Sequence, residues 1–241
     1  MKKYIIILVI SLLTGYQGHS QVLISLLFGD KLNSENIEFG LEGGVNFSHL
    51  NGISSDTKTN FNLGFYFDIN IKKDPRWKFN TGVIVKSTMG AENIDVYTLD
   101  DPDLNSAFTG GSIHRKIHYF NVPLVLKRQI AGGFYGGFGT MLGLRSKASD
   151  VFTQKVKEDD DLTYKLDIKD NISALDAGLL ASLNYKLGPG KSLNIYAKYY
   201  HGLVNINKND ASDKFYNRSL YLGVGIPIGG KPKKETESKN P

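Results

Sequence analysis

The chain has 241 residues, with 26 Gly, 13 Tyr, 13 Phe, no Cys and a formal net charge of +5. That length suffices for one domain with a full core. The missing cysteine excludes a disulfide scaffold, a thiolate metal site, a cysteine nucleophile and lipid attachment to an N-terminal cysteine, and so modest a charge without a basic run points away from nucleic acid.

Residues 1–20 read as a secretory signal peptide. Lys2 and Lys3 precede an apolar run from Tyr4 to Leu13, and Gly15, Gly18 and Ser20 are small residues near a cut after Ser20. The run is shorter than the ~20 apolar residues that a spanning helix needs. Residues 21–36 form a lead-in segment on the periplasmic side, apolar at Val22–Phe28 and polar after that.

From residue 37 the pattern has period two. In 60–72, Phe61, Leu63, Phe65, Phe67, Ile69 and Ile71 share one face, opposite Asn60, Asn62, Gly64, Tyr66, Asp68, Asn70 and Lys72. A helix, with its period of ~3.6, would not keep these faces apart. Strands are expected at 37–50, 60–72, 76–89, 114–128, 133–146, 172–187, 192–206 and 217–228. Most are longer than the ~9–11 residues that a tilted membrane strand needs. Their connections alternate between short turns (73–75, 129–132, 188–191) and longer loops (51–59, 90–113, 147–171, 207–216). The expected fold is all-β: an eight-stranded antiparallel up-and-down transmembrane β-barrel at 37–228. A disordered polar tail is expected at 229–241.

The polar face carries Gly40, Gly44, Gly64, Gly82, Gly137, Gly139 and Gly178 among charged residues. Glycine suits the crowded lumen of an eight-stranded barrel, which side chains nearly fill. The expected lumen charges are Glu38, Glu42, Asp68, Lys78, Lys86, Lys127, Arg145, Asp176, Lys186 and Lys198. Their opposite signs can pair, which argues against an open pore. Aromatics at strand ends fit interfacial girdles: Trp77, Phe79, Phe134 and Tyr185 by the short turns, and Phe47, Phe61 and Tyr199 by the long loops.

The stretches FGLEGGVNFSHL (39–50), HYFNVPLVLK (118–127), ALDAGLLASLNYKL (174–187), YYHGLVNI (199–206) and RSLYLGVGIPI (218–228) carry a resemblance. The chain resembles the PorT-like outer-membrane β-barrel proteins of Bacteroidetes over essentially its whole mature length. The resemblance implies an eight-stranded barrel in the outer membrane and, for some members, a part in type IX secretion or gliding. The end departs from the usual pattern: IPIGG and a charged tail stand where barrels usually finish on an aromatic.

Catalysis has one weak candidate. Ser112 lies two residues before His114, on one face of a strand that reaches that far, but no acid is placed beside them. His49 follows Ser48, and adjacent strand residues point to opposite faces. The acidic residues Asp100, Asp101, Asp103 and Glu158–Asp161 lie in the two longest loops without the spacing of a calcium loop. GGFYGGFG (132–139) is strand glycine, not a phosphate loop. The expectation is therefore a non-enzymatic monomeric barrel, with no cofactor and no metal, acting as anchor or scaffold. Its partners are outer-membrane lipid and envelope proteins met through 90–113 and 147–171. A small-solute channel and a lipid-modifying enzyme are the alternatives.

Overall fold

The computed structural model describes residues 34, 36–71, 74, 76–156, 161–188, 192–209 and 213–228. The signal peptide at 1–20, all of the lead-in but Ser34 and Asn36, and the tail at 229–241 lie outside the described residues. Nine strands alternate down the chain: β1 (Ile37–Asn51), β2 (Lys58–Asn70), β3 (Trp77–Asp95), β4 (Ser112–Ala131), β5 (Phe134–Lys155), β6 (Asp161–Asp167), β7 (Leu175–Lys186), β8 (Asn194–Gly202) and β9 (Tyr216–Pro227). A six-residue helix, α1 (Pro102–Ala107), lies between β3 and β4. Among the described residues no helix is long and apolar enough to cross a membrane.

The strands join in the order β4-β3-β2-β1-β9-β8-β7-β5, and β4 pairs with β5 to close the ring. Every pairing is antiparallel. The fold is all-β, an eight-stranded antiparallel up-and-down barrel. The ninth strand, β6, pairs with the far end of β5 (Ser149–Lys155) and stays outside the ring. Closure satisfies the backbone of all eight ring strands with no exposed edge. Two glycines show how tight the ring is. A Cβ on Gly44 would lie 2.0 Å from the Leu222 carbonyl oxygen, so β1 and β9 close on a Gly44–Gly223 pair. A Cβ on Gly40 would lie 2.5 Å from Tyr66 Cε1, so the tyrosine ring lies across bare backbone.

The inner face is polar for most of the barrel's height, and the outer face is apolar. On β5 the outward residues Phe134, Phe138, Leu142 and Leu144 are exposed. On β4, Phe120, Leu126 and Ile130 do the same. The band runs from Phe120 to Ile130 on β4 and from Phe134 to Leu144 on β5, which fits the ~9–11 residues of a tilted crossing.

The stretches expected as loops at 90–113 and 147–171 are largely not loops. β3 continues to Asp95, β4 starts at Ser112, β5 runs to Lys155 and β6 follows. The reason is a reversal of polarity along the strands. On β4, outward Phe120 gives way to His118, Lys116 and His114, while inward Lys127 and Asn121 give way to Ile117 and Ile113. Above the band these strands are an ordinary water-facing sheet, apolar inside and polar outside. Its core gathers Met89, Ile94, Phe108, Ile113, Phe152 and Ile168, all buried. Two bulges fit this part to the ring. Asn93 lies at the second of them with φ 52°, a left-handed conformation that asparagine tolerates.

Candidate functional site in the lumen and above the band

Three ion pairs link strands that are not neighbours. Lys127 Nζ meets Asp68 Oδ1 at 3.0 Å, from β4 to β2. Lys186 Nζ meets Glu38 Oε2 at 2.6 Å, and Lys198 Nζ meets Glu42 Oε2 at 2.6 Å, from β7 and β8 to β1. All six side chains are buried. Hydrogen bonds complete two of the sites: Asn80 Nδ2 donates to Asp68, and the Tyr66 hydroxyl to Glu38, while Lys198 bonds both oxygens of Glu42. Lys78 is half-buried, with its ammonium 5.2 Å from the Tyr135 ring centroid. Further along, Tyr196 donates to Asn62, Ser87 links to Tyr221, and Asn217 donates to Asp176 at 2.8 Å. Asp176 is buried and has no ion pair among the described residues. Arg145, half-buried, donates from Nε to the Ser173 carbonyl.

Lys86 is not in the lumen. Strict alternation from Ile84 would put it there. A bulge sets Val85 and Lys86 opposite the single residue Phe120, between the pairs Ile84–Asn121 and Ser87–Tyr119. Ser87 takes the inward position, and Lys86 is exposed on the outer wall, 5.4 Å from the Phe61 ring centroid.

The named aromatics lie on the outer wall. Trp77 sits under the Arg128 guanidinium at 5.3 Å. Phe134 and Tyr185 have ring centroids 4.5 Å apart, and Phe79 is exposed on β3, two strands round the ring from β5. Phe47 is half-buried, and Phe61 and Tyr199 are exposed toward the other rim.

At the short-turn end the lumen opens into a vestibule of about 620 Å³, lined by Lys78, Gln129, Tyr135 and Lys186 among others. Its lining stops at the level of Lys78 and Lys186, where the ion-paired side chains begin.

Above the band, sequence reasoning missed a second ionic site. Arg115 binds Asp150 through Nε at 2.8 Å and Nη2 at 2.7 Å, and the Tyr97 hydroxyl donates to Asp150 at 3.0 Å. Burial opposes the Arg115 charge, but the two bonds and the charge of Asp150 outweigh it and hold the guanidinium above its ordinary value. Burial, and then the Asp150 charge, push the Tyr97 hydroxyl up, so it remains a donor. Lys58 bonds Glu92 at 2.5 Å, with His114 at 3.6 Å from the same oxygen. His114 therefore faces Glu92, and no hydrogen bond joins it to Ser112 among the described residues. Asp101 caps α1, its side chain accepting from Asp103 N and Leu104 N. The alternation of 112–119 and 147–155 was the signal for this region.

A closed eight-stranded ring with a polar, ion-paired interior and a lipid-ready outer wall defines a transmembrane β-barrel. Residues 20–208 match the outer membrane protein beta-barrel domain family. The chain belongs to that family, and its place is the outer membrane. No curated protein matches the chain. Among solved structures it is similar to Ail, the attachment invasion locus protein of Yersinia pestis. That likeness has 12% identity and a TM-score of 0.43, covering 80% of this chain and 99% of that one. The Neisserial surface protein A gives 11% identity and a TM-score of 0.39, over 81% and 100%. OprG of Pseudomonas aeruginosa gives 14% and 0.39, over 81% and 97%.

Proposed function

We propose that this barrel is a non-enzymatic anchor that holds a folded head, built from β3 to β6 and α1, outside the outer membrane for protein partners of the envelope. In this reading the long-loop end faces outward, and the start of β1 and the end of β9 face the periplasm. The observation that carries it is the head itself: strands that outrun the apolar band and turn apolar side chains inward, where they extend the buried core of the ring. A chain selected only to cross the bilayer has no use for it. The paired charges across the lumen support an anchor over a channel. The resemblance to PorT-like proteins suggests a narrower form, in which the partner belongs to secretion or gliding.

Two experiments test this. In planar bilayers the purified barrel shows no stepwise conductance; sustained openings would make it a channel. In intact envelopes, photo-cross-linkers at Val156 and Leu162, both exposed, trap one and the same protein, whereas a cross-linker at Leu222 in the band traps lipid only. Lipid-only adducts at all three positions would remove the scaffold reading. Normal surface-protein secretion and motility after gene deletion would remove its narrower form.

A further inference from the structure

The head's outer wall carries a charge cluster that neither the anchor nor its protein partner explains. On β4, Lys116 and His118 point outward just above Phe120. His118 pairs across the strand with Lys147 of β5. Lys165 of β6 stands on the same face, opposite Val151, and Lys86 emerges there through its bulge. All four lysines act electrostatically on His118. None of them has an ion pair among the described residues. Asp167 stands on this face opposite Ser149, its Oδ1 accepting from Lys169 N, and Glu92 reaches it further from the band, 3.6 Å from His114 and bonded to Lys58.

Like charges placed together across strands are destabilising unless an anion neutralises them. The position tells which anion. The cluster begins where the lipid-facing apolar residues Phe120, Leu144 and Val85 end, so it lies at the depth of headgroups. Lysine stems can lie along an apolar wall with the ammonium at the polar boundary, and the Lys86 ammonium lies over the outward Phe61 ring. Lysine binds phosphate as a point charge.

We propose that Lys86, Lys116, Lys147 and Lys165 form a docking site on the barrel wall for the phosphate groups of outer-leaflet lipid.

The test uses the full chain in detergent micelles, titrated with a bisphosphorylated glucosamine lipid or with the same lipid stripped of its phosphates. Binding is read by native mass spectrometry, and folding by the gel shift on heating. Wild type prefers the phosphorylated lipid. Each lysine near a charged surface contributes roughly five-fold, so K116Q/K147Q/K165Q should bind it on the order of a hundred-fold more weakly. K208Q/K214Q, in the β8–β9 connection, should bind as wild type does. Should the triple variant misfold, Lys116→Gln alone is expected to lose roughly five-fold. Equal binding of the two lipids by wild type, or undiminished binding by a folded triple variant, overturns the proposal. Inorganic phosphate that binds as tightly as the lipid would make the ligand a free anion and also overturn it.

Discussion

Asp150→Ala is expected to unfold the head while the ring stays closed. Asp150 is fully buried and accepts three bonds, two from Arg115 and one from Tyr97. Without it Arg115, a residue only 8% exposed, is left as a buried charge with no carboxylate. Breaking one side of a buried pair costs about 3–5 kcal/mol. The site ties β4 to β5 and, through the Arg115 guanidinium 5.9 Å from the Phe215 ring, to the segment before β9. Hydrogen exchange should therefore speed up for amides of 112–118 and 148–155, and stay slow for 120–128 in the band. The double change Arg115→Met with Asp150→Leu removes both charges and should restore most of the protection, because replacing a buried pair by apolar side chains is often neutral or stabilising. If Asp150→Ala left exchange in the head unaltered, the pair would not be what holds it.

The second expected result concerns the lumen. Glu42→Ala strands Lys198, which is 3% exposed and within 2.9 Å of both carboxylate oxygens in the intact pair. A loss of about 3–5 kcal/mol is expected in denaturant unfolding from lipid vesicles. Lys198→Met should cost a similar amount by leaving Glu42 alone. The double variant Glu42→Leu with Lys198→Met should cost far less than the sum, since groups in direct contact couple. Strict additivity would show that the two side chains do not depend on each other. That result would also weaken the case for a lumen closed by cross-barrel pairs.

The ring was legible because its strands keep one rule over the whole band. Phe61 to Ile69 alternates without a break, Leu175 to Leu183 breaks only at inward Leu180, and the short turns at 73–75 and 188–191 announce themselves by Pro, Gly and Asp. The head was not legible from that rule, because the rule reverses at its base. Ile113 and Ile117 are inward, where the band puts polar residues, and His114, Lys116 and His118 are outward, where it puts apolar ones. On β4 the alternation is legible from 114 all the same, but on β3 and β5 the expected strands stop at 89 and 146, and the expected loops stand where the strands in fact continue. Lys86 was misplaced for a related reason: a bulge changes the phase of a strand, and nothing in Val85–Lys86–Ser87 signals one. The ion pairs of the lumen were foreseeable as signs on one face, but not as partners. Glu38 reaches β7 and Glu42 reaches β8 across the interior, a matter of closure geometry that local spacing does not contain.

The ring hides the strand edges within the band, but above it β6 pairs with β5 alone among the described residues and leaves an open margin there. An open margin invites edge-to-edge aggregation. Here it stands above the bilayer, is seven residues long, and carries Asp161, Lys165 and Asp167. Short length and charge discourage stacking of one copy on the next. Crowded side by side in a membrane, copies of this barrel are not drawn to zip together along that margin.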